Sequence, residues 1–298
     1  MRDEGTGLLD SVAEAVAIGE QAGVSVQISH HKASGREAWG LVTRSLSLIE
    51  AAQRRGLNVH ADQYPYTAGS TILSAVVGAT GRDLRNLDFG DVVIASTRSH
   101  PQWEGKSIAA LAQGMGIDGV DAASRILATE PGATVIMHSM SEDDVRTVMR
   151  HPSTMIGSDG IPTLEGRPHP RLYGSFARVL GHYARDLGLF ALTEAIHRMT
   201  GFPAAKFALR DRGVLREGAY ADLVVFNPDT VIDRGTSKNR ISIRPASNMC
   251  SSTAFTLWPM VSTRRRAPAG CCGALRNPYC TVTVIVSDAT GGSCGTCR

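Results

Sequence analysis

The chain has 298 residues, 43% of them hydrophobic and 20% charged, with a formal net charge of +3. That length makes one large domain or two ordinary ones with ample material for a core, and no apolar run approaches the ~18 residues of a membrane helix. The first twenty residues carry five acidic groups and lack the basic start and apolar stretch of a secretory leader, so a cytoplasmic location and no membrane partner are expected. A collagen-like or low-complexity chain and a secreted disulfide miniprotein are excluded on composition.

In chain order, apolar spacing predicts a helix over Leu8 to Ala22, then a short β-branched strand, Val24 to Ser29. A second amphipathic helix is read over Trp39 to Arg55, closed by Gly56, and a strand over Leu57 to Ala61. Asp91 to Ser96 reads as a strand, Ser107 to Gly114 and Val120 to Ala128 as helices, and Ala133 to His138 as a strand. Ser141 opens a helix with a capping-box pattern closing on Asp144. A strand at Thr154 to Gly157, helices at Ser175 to Asp186 and Leu192 to Met199, and a late strand at Ala221 to Phe226 complete the pass. Strands alternating with helices argue for parallel β/α units. Five strands of this type are read before the late one. No glycine-rich phosphate loop follows a strand, which lowers a nucleotide-binding reading.

Charge and cysteine break near residue 237. Residues 237–298 hold eight Lys and Arg against one acid, Asp288, a net +7, whereas residues 1–236 hold 23 basic and 27 acidic residues. All nine His lie before residue 200, and all six Cys lie at 250, 271, 272, 280, 294 and 297. Within the tail only Tyr279 to Val286 has strand character. Three readings stay open: a disulfide or metal module, a disordered basic extension, or out-of-frame translation, which is favoured. Cys294 and Cys297 with Cys271, Cys272 and Cys280 could hold zinc, and Arg264 to Arg266 could meet phosphates, although the spacing is irregular. A nucleic-acid partner is not expected.

The ends of the body strands are polar. His30-His31-Lys32, Asp62-Gln63-Tyr64, His138 and Ser158-Asp159-Gly160 each follow a strand. Parallel strands gather their C-terminal ends on one face, where β/α folds carry their chemistry. Imidazoles and carboxylates converging there suggest metal-assisted or acid–base hydrolysis. By the period of two, His30 and His31 point to opposite sides, so at most one faces the site. His30, His60 and His138 could equally be packed histidines, Asp159 an Asx turn and Asp62 a loop brace. The segment from Gly166 through Pro168-His169-Pro170-Arg171 is rigid and basic, and an Arg there could fork onto a carboxylate.

The strings ISHHK, DQYPYTAGST, MSEDDVRTVMRHP, MIGSDG, GRPHPRLYGSFARVLGHY, MTGFPAAKFAL and GAYADLVVFNP, in this order, resemble the N-acyl-D-amino-acid deacylase (D-aminoacylase) branch of the amidohydrolase superfamily. The likeness covers about residues 1–236. It implies an α/β fold, a TIM-like barrel with a small β-sandwich, and zinc-dependent hydrolysis of the amide of a small-molecule N-acyl-D-amino acid. Carried over residue by residue, it makes His30 a zinc ligand. Lys32, Tyr64 and Ser70 become substrate contacts, and Asp159 becomes the general base beside the metal. Arg171 becomes the arginine that binds the substrate carboxylate. A related cyclic-amide hydrolase is the alternative within the superfamily.

The likeness has departures. The family carries a His-x-His pair, a metal-bridging Cys and a His directly before the Met-Arg-Asp-Glu string, and this chain starts at Met1-Arg2-Asp3-Glu4 with no Cys before Cys250. An N-terminally truncated member is therefore expected, with an incomplete ligand set and an incomplete barrel, since eight strands close one. The expected division is a partial barrel over 1–210, a sandwich remnant over 211–236 and a basic tail from 237.

Overall fold

The structure, a computed structural model, describes residues 1–78, 87–161, 166–220, 222–235, 255–256 and 283–286. It has two compact units, one built on Met1–Ser175 and one on Phe176–Arg234.

The first unit opens with α1 (Leu8–Ala22), whose Leu8, Val12 and Val16 recur every fourth residue and are buried. Gly23, at φ 65°, ends it in the left-handed cap that glycine adopts without strain. Strand β1 (Val26–Ile28) follows, then α2 (Leu41–Arg54), which buries Val42, Leu46 and Ile49, and β2 (Val59–Gln63). Much later come α6 (Glu142–Arg150) and β6 (Thr154–Ile156). These strands form a three-stranded parallel sheet in the order β1-β2-β6, with Ile28 opposite Ala61 and Gln63 opposite Ile156. One apolar cluster joins α1, α2 and Val148 of α6 to Ile28, Val59 and Ala61. Each fully buried aliphatic side chain there, such as Ile49, contributes about 1.5–3 kcal/mol.

The start of α2 is held from a distance. Both Asp144 oxygens accept from the Gly40 N–H, at 3.0 and 2.9 Å. The capping box expected at Ser141 is therefore only half made: Ser141 Oγ accepts from the Asp143 N–H at 3.2 Å, while Asp144 serves another helix. A capping box is made by Glu or Gln. Aspartate is one methylene shorter and here reaches outward.

Between β2 and β6 in sequence sits a second sheet of β3 (Gly69–Ile72), β4 (Val92–Ser96) and β5 (Thr134–Met137), in the order β3-β5-β4 and antiparallel throughout. Helices α3 (Leu73–Val77), α4 (Ile108–Met115) and α5 (Gly119–Thr129) pack with it. This corrects the strand count: of the five strands read as parallel units, 91–96 and 133–138 pair antiparallel with each other, and three form the parallel sheet. Two helices between them permit either direction, so alternation alone could not set it. Strand β3, with glycine, serine and threonine, has no apolar alternation to announce it.

The helix expected at Ser175 to Asp186 starts earlier, as a short α7 (Arg171–Arg178) whose first residues belong to the first unit, and runs into a π-helical segment, Val179–Asp186, of the second. Helices α8 (Leu192–Met199) and α9 (Gly201–Lys206) follow. Strand β7 (Leu223–Phe226) pairs antiparallel with β8 (Phe255–Thr256) and parallel with β9 (Thr283–Val286). The tail strand expected within Tyr279 to Val286 thus has a described partner. The tail cysteines and Arg264 to Arg266 lie outside the described residues.

Candidate active site

The three parallel strands deliver polar groups to one end of their sheet. β1 runs into His30 and β6 into Asp159, and both residues have left-handed backbone, at φ 42° and 48°. Non-glycine residues adopt that region at a cost of order 1 kcal/mol or more, and such strain clusters at functional sites. At His30 the turn is held by Asp62 at the end of β2, whose Oδ1 accepts the His30 N–H at 2.7 Å. Its Oδ2 accepts from Gln27 Nε2 at 2.7 Å. Burial raises the Asp62 carboxyl, and these two bonds oppose the rise. Asp62 is the brace of the β1–β2 end.

His30 and His31 diverge, but beyond the strand: β1 ends at Ile28, and the left-handed turn at His30, not the period of two, sends them apart. His31 is fully buried, with Nε2 2.9 Å from Ser45 Oγ of α2. Burial, then the nearby Lys32 charge, lowers it to about 4, so it is neutral core. His30 stays a third exposed and turns to Glu4, with Nδ1 2.9 Å from Oε1. Lys32 Nζ donates to the same Glu4 oxygen at 2.7 Å and to the His30 carbonyl at 3.0 Å. Burial alone would raise the Glu4 carboxyl, but the His30 and Lys32 bonds and charges outweigh it and hold it at about 2. Burial lowers the Lys32 ammonium against the pull of Glu4 and Asp159. Glu4 escaped the sequence reading, because no local pattern ties it to His30. Its only signal is its place in the Met-Arg-Asp-Glu string.

Arg171, at the start of α7, is 3% exposed. Its Nη1 lies 2.8 Å from Asp159 Oδ2, and its Nη2 donates to the Ser70 carbonyl of β3 at 2.9 Å. Its Nε is buried with no hydrogen-bond partner among the described residues. The guanidinium carbon stands 4.6 Å over the Tyr64 ring, and Lys32 Nζ stands 5.7 Å from the same ring. Both cations are within cation–π reach of the Tyr64 ring. Burial pushes its phenol well above the usual range.

The structure therefore brings Lys32, Tyr64, Ser70, Asp159 and Arg171 into one cluster, with His30 and Glu4 against Lys32. The contribution of Ser70 to Arg171 is its carbonyl. His138 follows β5 of the antiparallel sheet rather than a parallel strand, and its N–H donates to the Asp91 carbonyl at 2.9 Å.

At His30 both Glu4 Oε1 and Lys32 Nζ lie 2.9 Å from Nδ1, so Nε2 is the ring nitrogen turned away from these two partners. The set as a whole does not suit a metal. A catalytic zinc takes three protein ligands, and among the described residues no group of three or more His, Cys, Asp and Glu could hold a metal ion. Asp159 is committed to Arg171 and Glu4 to Lys32.

The sequence pattern of the amidohydrolase family matches residues 11–247. The chain is 44% identical to D-aminoacylase of Alcaligenes xylosoxydans xylosoxydans over 236 residues, covering 79% of this chain and 46% of that protein. It is 40% identical to the N-acyl-D-glutamate deacylase of the same organism over 236 residues, with the same coverage. Among solved structures it is similar to N-acyl-D-glutamate deacylase from Bordetella bronchiseptica, complexed with zinc and a phosphonate mimic of the tetrahedral intermediate. That match has a TM-score of 0.72 and 41% identity, over 80% of this chain and 48% of the other. It is also similar to a D-aminoacylase studied for its binuclear metal centre, with a TM-score of 0.71 and 43% identity, over 80% of this chain and 47% of the other. The chain spans about half the length of the curated relatives it matches. These likenesses bear out the α/β, partial TIM-like barrel reading of the parallel sheet and its helices.

Proposed function

The chain belongs to the amidohydrolase family, and from that premise we propose that it binds N-acyl-D-amino acids and serves hydrolysis of their amide bond. The observation that carries the reading is Arg171. Its buried guanidinium already holds one carboxylate, Asp159, through Nη1, and that is the group a substrate carboxylate would exchange with. The α-carboxylate of the substrate would take that fork, fixing which face of the D-amino acid is presented. Lys32 and Tyr64 would line the same approach.

Asp159 would take the proton of the attacking water as its oxygen adds to the acyl carbon, then return it to the leaving nitrogen. This yields a carboxylic acid and a free D-amino acid. As Arg171 holds Asp159 in the structure, the arrival of a substrate carboxylate would loosen one anion as it binds another. The described residues do not by themselves make a zinc site, and His30 and Asp159 are the two that would contribute to one. A cytoplasmic location, a small-molecule partner, and the division at residues 210 and 236 belong to the same proposal.

The test is release of free D-amino acid from N-acetyl-D-leucine, with zinc supplied. It is run on this chain and on this chain extended to the length of its relatives with their sequence. Release from the D isomer by the extended form, abolished by Asp159→Asn, is expected. An extended form that folds and releases nothing refutes the assignment.

A further inference from the structure

The reach of Arg171 into the cluster depends on where its backbone sits, and one buried side chain bonds to that backbone. His169 is 5% exposed, and its Nδ1 accepts the Arg171 backbone N–H at 2.9 Å. Nδ1 is therefore the unprotonated nitrogen, and the imidazole also has a hydrogen bond to the backbone of Ala68. The ring meets Tyr66 edge-on at 5.3 Å and Tyr64 at 6.4 Å. A single imidazole thus links the loop after β2, which carries Tyr64 and leads to Ser70, with the first residue of α7. Pro168 and Pro170 on either side fix their own φ and give up no N–H to compete.

The flanking bonds make the link directional. The Leu172 N–H bonds to the His169 carbonyl at 3.1 Å, and Ser175 Oγ donates to the Arg171 carbonyl at 2.8 Å. The Leu172 N–H at the helix start is thereby satisfied, and the Arg171 side chain reaches Ser70 and Asp159 from there. A hydrophobic ring at position 169 would fill the space but leave the Arg171 N–H buried without an acceptor. We propose that His169 is a positioning residue: as a neutral hydrogen-bond acceptor it sets Arg171, and through it the carboxylate subsite. The inference rests on the proposed binding of N-acyl-D-amino acids and deepens it.

The acceptor and the ring can be separated by substitution. The amide oxygen of an asparagine side chain reaches the place of the imidazole Nδ1, so His169→Asn keeps the acceptor and loses the ring. His169→Phe keeps the ring against Tyr66 and loses the acceptor. Binding of N-acetyl-D-leucine to the full chain is measured by calorimetric titration, with Arg171→Ala beside the two variants and thermal melts to confirm folding. The expectation is that His169→Asn binds within about threefold of the unaltered chain and His169→Phe about tenfold more weakly. The reverse order, or equal binding by both, assigns His169 to packing and overturns the inference. If His169→Phe fails to fold, the Asn variant alone decides: a loss equal to that of Arg171→Ala overturns the proposal. Binding unaffected by Arg171→Ala overturns the functional reading itself, which is a separate outcome.

Discussion

Arg171 has to stay charged where little water reaches it. Its Nη1 is met by Asp159, its Nη2 by the Ser70 carbonyl and its face by the Tyr64 ring, so loss of the Asp159 carboxylate leaves a buried charged donor short of a partner. His169 beside it is under the opposite constraint and has to stay neutral. Burial first, and then the Arg171 charge, lower its imidazole to about 3 from an ordinary 6.5, with the Ala68 bond opposing. The unfolded chain therefore binds a proton that the folded one refuses as pH falls below about 6.5, and stability is lost in that window. Between about pH 7 and about pH 5 this one group removes about 2 kcal/mol. Urea melts at the two values are expected to show that extra loss in the unaltered chain and not in His169→Asn, whose side chain does not titrate. Equal acid sensitivity in the two would contradict it. At this scale the sequence was informative about residue types and poor about partners. His30, Asp159 and Arg171 stand out as polar groups after strands or in a proline-bound loop. Glu4 and His169 do not, because what gives them meaning is contact with residues remote in sequence.

Elements are held in place by a few close approaches and end contacts. In the second unit an added Cβ at Gly181 would fall 2.1 Å from the Val231 carbonyl oxygen and 3.1 Å from the Ile232 Cα. Those are backbone atoms that cannot swing aside, so Gly181→Ala is expected to destabilise by about 2–3 kcal/mol, read from a denaturant midpoint. A variant as stable as the parent would show that the segment at residue 231 packs elsewhere. In the first unit Asp144→Ala removes the acceptor of the Gly40 N–H at the head of α2, and about 1 kcal/mol is expected to go with it. Asp144→Asn is expected to restore most of that, and no difference between the two substitutions would contradict the contact. Helices with clear apolar spacing, such as Leu8–Ala22 and Leu192–Met199, were readable to the residue. The antiparallel pairing of β4 with β5 was not, because strand direction is decided by partners rather than by the alternation of elements.

At the scale of the molecule, a parallel sheet with helices on it, and one end of that sheet lined by charge, is what the sequence order of strands and polar tips led one to expect. The second sheet is an insertion between β2 and β6 that brings Ser70 to the cluster, and nothing local in the sequence marks it as such. The charge break at residue 237 is visible in composition alone. The central claim is that Arg171 receives the α-carboxylate of an N-acyl-D-amino acid. The direct measurement is calorimetric titration of the chain with N-acetyl-D-leucine and with its α-amide, which lacks the carboxylate, repeated on Arg171→Lys. The acid is expected to bind at least about tenfold more tightly than the amide. Arg171→Lys, which keeps the charge but loses the fork, is expected to erase most of that difference. Equal affinity for acid and amide, or a preference that survives Arg171→Lys intact, would contradict the central claim.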